Sequence, residues 1–144
     1  MSTEAEYEPS PDQWVRDQVA AIEEAGDTNA VQVMDRPVVL MTTRGAKSGK
    51  IRKVPVMRVE HEGTFLAVAS KGGAPEHPQW YHNLVAHPEI ELMVDRERWP
   101  AVARRIEGEE RAEWWERAVA AYPPYADYQA GTDRQIPLFV LERR

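Results

Sequence analysis

Six short apolar runs, none followed by a helical crossover that would set it parallel to the next, constrain this chain more than any other feature. They are VVLMTT (38–43), KVPVMRVE (53–60), TFLAVAS (64–70), IELMV (90–94), WPAVARRI (99–106) and IPLFVLE (136–142). Runs of this length, rich in β-branched and aromatic residues and bounded by turn signals, predict strands. Glu62-Gly63 predicts a hairpin between the second and third runs, and Pro55 predicts that the second is an edge strand or carries a bulge. Polar DRER connects the fourth run to the fifth. Without βαβ alternation a parallel sheet is excluded. The expected architecture is α+β: a half-barrel or closed sheet of about six mostly antiparallel strands, with flanking helices.

Three helices complete the reading. Ser10-Pro11-Asp12-Gln13 has the form of a capping box with proline at the first helical position. Trp14, Val15, Val19 and Ile22 follow at helical spacing, and Gly26 ends the helix. Pro78 opens a short helix that Pro88 stops. GEERAEWWERAVAAY starts after Gly108 and ends at Pro123-Pro124, with Trp114, Trp115 and Val119 assigned to its core face. The 144 residues suit one domain with one core: an N-terminal tail and helix over 1–37, then the barrel over 38–144.

Composition excludes several chemistries. With no cysteine there are no thiol nucleophiles, disulfides, iron–sulfur ligands or cysteine zinc sites, so redox work requires an organic cofactor. No run approaches the ~20 apolar residues of a membrane span. The acidic opening MSTEAEYEPSPDQW is unlike a signal peptide, so a cytoplasmic protein is expected. The net charge of −6 disfavours general nucleic-acid binding. Yet Arg44, Lys47, Lys50, Arg52, Lys53 and Arg58 fall together with no acid among them. Charge alone leaves two readings open, an anion site and a solvated hairpin edge protected by lysines.

Several motifs fail on inspection. GAKSGK lacks the phosphate-loop spacing, has Ile51 where a hydroxyl must bind magnesium, and runs into a strand instead of a helix. Its glycine-flanked amides, Ser48 and cations can still hold a phosphate without a metal. His77, His82 and His87 are five residues apart, about 140° of helical rotation, and share no face; with His61 they read as surface or packing residues, and no metal site is expected. Ser70 has no base and orienter nearby in sequence, which argues against a serine hydrolase. Tyr122, Tyr125 and Tyr128 recur every three residues around a double proline. They read as a structural aromatic patch or as phenols that stack on and donate to a substrate.

TTRGAKSGKIRKVPV, VASKGG, HPQWYHNL and AYPPYADYQAGTDRQIPLFVLE, in this order between Val38 and Glu142, resemble the deazaflavin-dependent nitroreductase family, actinobacterial reductases that use reduced coenzyme F420. The resemblance implies a split β-barrel and hydride transfer from F420H2 to a small planar quinone, activated enone or nitroaromatic. It implies that Lys47, Ser48, Arg52 and Lys53 meet the anionic phosphodiester and oligoglutamate tail. Ser70, Lys71, Gly72 and Gly73 would meet the deazaflavin ring and its side chain, and Trp80, Tyr81 and Asn83 would wall the pocket. Tyr125 would orient the acceptor and help supply a proton, with Tyr122 and Tyr128 lining the pocket. Met57 stands where some relatives that activate nitroimidazoles carry an aromatic residue, which argues against that substrate class. The fold by itself leaves an FMN- or haem-binding split barrel and a non-catalytic F420-binding module as alternatives. A membrane quinone as acceptor would add peripheral membrane contact. Oligomeric state is left open.

Overall fold

A computed structural model describes residues 6–144; the first five residues of the acidic opening lie outside the described residues. The first helix, α1 (Gln13–Ala25), begins two residues later than the capping-box reading expects. Asp12 is its N-cap, and Ser10 Oγ accepts from the Asp12 N–H at 3.1 Å, closing a turn outside the helix. Gly26 ends it in the left-handed conformation, as expected. Val15, Val19 and Ile22 form the buried stripe. Trp14 does not join them and is 57% exposed, because one residue is about 100° of helical rotation from the next.

The strands are β1 (Val38–Arg44), β2 (Ile51–Met57), β3 (Val59–His61), β4 (Thr64–Val68), β5 (Glu89–Val94), β6 (Glu97–Arg105) and β7 (Leu138–Arg143). Every pairing between these strands is antiparallel. The described residues form seven strands where about six were expected, because the 53–60 run divides at Arg58. The sheet order is β2-β1-β5-β6-β7-β4-β3, so β2 and β3, consecutive in the chain, lie at its opposite edges. A single residue joins the two edges, which forces the sheet to curl into a split barrel. Arg58 fixes that corner. Its N–H donates to the Pro37 carbonyl at 2.9 Å, and its guanidinium pairs with Asp95 and Glu60, each at 2.9 Å. Pro55 sits on edge strand β2, where the lost donor is harmless. The β5–β6 turn is tighter than DRER suggested, leaving only Asp95 and Arg96 between the strands.

Alternation along the strands sorts side chains into separate apolar clusters instead of one core. Val39, Met41, Phe65, Ala67, Ile90, Leu92, Ala101, Ala103, Phe139 and Leu141 fill the barrel with Leu84 from α2 (Gln79–Ala86). The intervening residues of β4 and β7 pack under α3 (Gly108–Ala121) and α4 (Pro124–Ala130), together with Trp114 and Tyr125. Those of β1 and β5 pack under α1. Both faces are therefore covered where helices lie, which explains why the runs read as continuously apolar.

Candidate functional site

A cleft of about 860 Å³ opens between β2, the chain from Ser70 to Gly72, α2, α4 and the segment leading into α1. Its size falls in the range of small-molecule and cofactor sites. Of the residues singled out in the sequence, Arg52, Lys53, Ser70, Lys71, Gly72, Trp80, Asn83, Tyr122, Tyr125 and Tyr128 line it; so does Met57.

The phenols come together because the double proline ends α3 and restarts the chain as α4, with Pro124 at its start. The Tyr122 and Tyr128 hydroxyls are 3.1 Å apart. The Tyr122 and Tyr125 rings meet edge to face with centroids 5.0 Å apart. Tyr125 lines the cleft at 5% exposure, and its hydroxyl makes no hydrogen bond among the described residues. Burial, reinforced by the neighbouring Tyr122 and Tyr128, raises the Tyr125 phenol well above its ordinary value. It is held as a neutral donor.

The connection after β4 is strained in a directed way. Lys71, Gly72 and Gly73 have successive φ values of 46°, 63° and 83°. At Gly72 nothing lies within 4 Å of where a Cβ would stand, so a ligand can approach the backbone there. Gly73 has a different reason: a Cβ would lie 3.1 Å from the Tyr128 Cα and carbonyl oxygen. The missing Cβ lets α4 dock closely there. Lys71 reaches Glu76 at 3.1 Å.

The cationic segment is acid-free only in sequence. Backbone pairing with Ile51 (Glu8 N–H to Ile51 O, 2.8 Å; Ile51 N–H to Glu6 O, 2.7 Å) lays residues 6–8 along β2. Glu8 reaches Arg52 at 3.3 Å and Glu6 reaches Lys50 at 3.7 Å. Glu23 of α1 pairs with Lys53. In each pair the acid is exposed while the cation is half-buried or exposed, so the pairs are weak and exchangeable for another anion.

Four sequence candidates lie outside the cleft lining. Lys47 and Ser48 belong to the β1–β2 turn, where Ser48 Oγ accepts from the Lys50 N–H at 3.1 Å. Gly73 abuts Tyr128. Tyr81 turns to the other side of α2; its ring stacks on His77 with centroids 4.0 Å apart, and its hydroxyl accepts from Arg105 at 2.8 Å. Asn83 is 3% exposed, and its Oδ1 accepts from the Ala46 N–H at 2.9 Å, so it also anchors the β1–β2 turn.

Sequence reasoning missed three contributors. Trp14 lines the cleft from α1. Met34, 65% exposed, lines it from a tight turn closed by Val33 and Arg36, in which Met34 and Asp35 have φ values of 51° and 60°. Trp14 was grouped with the α1 stripe, and its offset of about 100° from Val15 is the signal that sets it apart; no sequence signal marks Met34. The third, Arg134, does not line the cleft but holds the chain that does.

An apolar slot beside cations, an open backbone face at Gly72 and free phenolic donors suit a planar, polyanionic redox group, which is what F420 is. Similarity agrees. A curated F420H(2)-dependent quinone reductase of Mycobacterium tuberculosis is 36% identical over 111 residues, covering 75% of this chain and 74% of that protein. A solved F420-H2 dependent reductase is 57% identical, with a TM-score of 0.70 over 78% of this chain and 99% of that one. The haem storage protein HutZ of Vibrio cholerae, at 15% identity and a TM-score of 0.55 over 76% and 83% of the two chains, shares the fold alone. Residues 14–143 match the F420H(2)-dependent quinone reductase family, and the chain belongs to it.

Proposed function

We propose that the cleft holds coenzyme F420 with its ring beside Ser70–Gly72 and its tail along β2, and that the enzyme reduces a planar acceptor, a quinone in the first instance. One observation carries this reading: a single cleft is lined both by the cations of β2 and by the phenols at the end of α3 and in α4. When bound, reduced F420 supplies the hydride. The residues of the chain do the rest. Arg52 and Lys53 hold the anionic tail through charge-assisted hydrogen bonds. Val54, Val56, Met57, Val68 and Trp80 give the ring and acceptor an apolar, water-poor slot. The Tyr125 hydroxyl donates to the acceptor oxygen as negative charge builds there, and Tyr122 and Tyr128 fix the acceptor's orientation.

Fluorescence titration of the protein with F420 and with FMN tests the cofactor. F420 binds at least about tenfold more tightly, a difference of ~1.4 kcal/mol. Equal or tighter FMN binding rejects the reading.

A second prediction follows from the paired cations. Charge reversal at Arg52 or Lys53 weakens F420 binding, and added salt weakens wild-type binding, while the rate at saturating cofactor changes little. Glu8→Gln does the reverse, tightening F420 about two- to fivefold, the range expected for one exposed ion pair. Calorimetric affinities unchanged in both directions would make the basic segment a solvated edge.

A further inference from the structure

Arg134 lies in the connection between α4 and β7, and its guanidinium points back across the fold to the chain leaving β4. Its Nε donates to the Ala74 carbonyl at 2.8 Å, Nη2 to the Ser70 carbonyl at 2.7 Å and Nη1 to the Ala69 carbonyl at 3.1 Å. Nη1 also lies 3.1 Å from His77 Nδ1. One side chain thus spans both ends of the Ser70–Gly73 turn. Its own backbone is tied to α4: Gln129 Nε2 donates to the Arg134 carbonyl at 2.8 Å, and Gln129 Oε1 accepts from the Ile136 N–H at 2.9 Å. The helix that carries Tyr125 and Tyr128 therefore also sets where Arg134 stands.

We propose that Arg134 is a positioning residue that locks the Ser70–Gly72 wall of the cleft against the phenol-bearing helix, and so fixes the spacing between the cofactor side and the acceptor side of the site. This rests on the functional reading above. The chemistry requires arginine. A planar fork of five donors can meet three carbonyls and a ring nitrogen at once, whereas lysine offers three donors from a single point. His77 fits as the fourth partner in its neutral form, with Nδ1 accepting. Burial first, then the Arg134 charge, lowers its pKa below the ordinary histidine value. The positive φ values at Lys71, Gly72 and Gly73 are a conformation that the surroundings must hold in place. The carbonyls Arg134 grips, those of residues 69, 70 and 74, bracket it.

The test compares wild type, Arg134→Ala and Arg134→Lys by three readouts. In protein without cofactor, amide exchange at Gly73 and Ala74 accelerates about tenfold or more in Arg134→Ala while the β1 and β5 amides keep their protection. Affinity falls by about fivefold or more, and by the same factor, for F420 and for the deazaflavin lacking phosphodiester and glutamates. This separates the ring side from the tail side, since charge reversal at Arg52 affects only the tailed ligand. Millimolar guanidinium restores part of the affinity of Arg134→Ala, and Arg134→Lys falls between the two. Unchanged exchange at Gly73 and Ala74, affinity within about twofold of wild type, or no relief by guanidinium in a variant that melts like wild type each overturns the proposal. If wild type binds neither deazaflavin, the functional reading fails, while the exchange data still decide whether Arg134 holds the turn.

Discussion

Tyr125→Phe keeps the fold and F420 binding but lowers the hydride-transfer rate at least about tenfold, a barrier increase of ~1.4 kcal/mol. Hydride addition to a quinone or enone builds negative charge on the acceptor oxygen, and a preorganised donor there is worth roughly 2.7–4 kcal/mol when it acts mainly in the transition state. The trio divides the roles. The Tyr122 and Tyr128 hydroxyls, 3.1 Å apart, share one hydrogen bond, whereas Tyr125 lines the cleft with its hydroxyl unpartnered among the described residues. Burial raises its pKa, so the proton is present throughout the neutral range and the alkaline limb of a pH profile will not report its loss there. Removing the hydroxyl leaves the ring, its edge-to-face contact with Tyr122 and its tilted contact with Trp115 at 6.4 Å, so the fold should tolerate it. Stopped-flow oxidation of bound F420H2 by a quinone and by an enone provides the measurement. Wild-type rates with both acceptors would reduce the trio to a wall and leave protonation to solvent. Tyr128→Phe is expected to act mainly on acceptor affinity.

The strands were legible because they are local: alternation, hairpin turns and edge proline each write themselves into a few consecutive residues. Closure was not, because it depends on one residue. Nothing in KVPVMRVE announces that the residues before Arg58 pair with β1 and those after it with β4. The apolar character of Val54, Val56 and Val59 suits either edge. The Ser10-Pro11 signal was read correctly as a helix start but placed too early, since Ser10 closes a turn before Asp12 rather than capping the helix.

The site was legible where residue type dictates chemistry, and lost where function depends on what lies opposite. Cations, phenols and a glycine pair could be named from sequence, and most of them meet in the cleft. Tyr81 lies outside the cleft lining while Trp80 and Asn83 line it from the same helix, because the 3.6-residue period turns Tyr81 towards His77 and Arg105. The acid-free segment became a paired one because Glu6, Glu8 and Glu23 arrive from more than 25 residues away. Arg134 lies inside the AYPPYADYQAGTDRQIPLFVLE motif, but nothing local marks its role, because the carbonyls it holds are some 60 residues away.

Gly73→Ala should cost more stability than the same change one residue earlier, and the comparison isolates a contact from a conformation. Both glycines have positive φ, 63° at Gly72 and 83° at Gly73, and placing an L side chain in the left-handed region costs roughly 1–2 kcal/mol. At Gly72 that is the whole expense, since a Cβ would meet nothing within 4 Å. At Gly73 the Cβ would stand 3.1 Å from both the Cα and the carbonyl oxygen of Tyr128. These are backbone atoms of a helix and cannot swing aside as a side-chain end would, so overpacking adds about 1–3 kcal/mol. For a chain of this length each kcal/mol moves the melting temperature by roughly 2–4 °C. Gly72→Ala is therefore expected to lower it by about 2–8 °C, and Gly73→Ala by at least a further 2–4 °C or so. The same displacement moves Tyr128 off Tyr122 and should raise the KM for a quinone acceptor in Gly73→Ala. Calorimetric melting of the two variants beside wild type decides the matter. Equal melting temperatures would mean that α4 yields without cost, that its seat against the Lys71–Gly73 turn is soft, and that the phenols are not held by the wall they face.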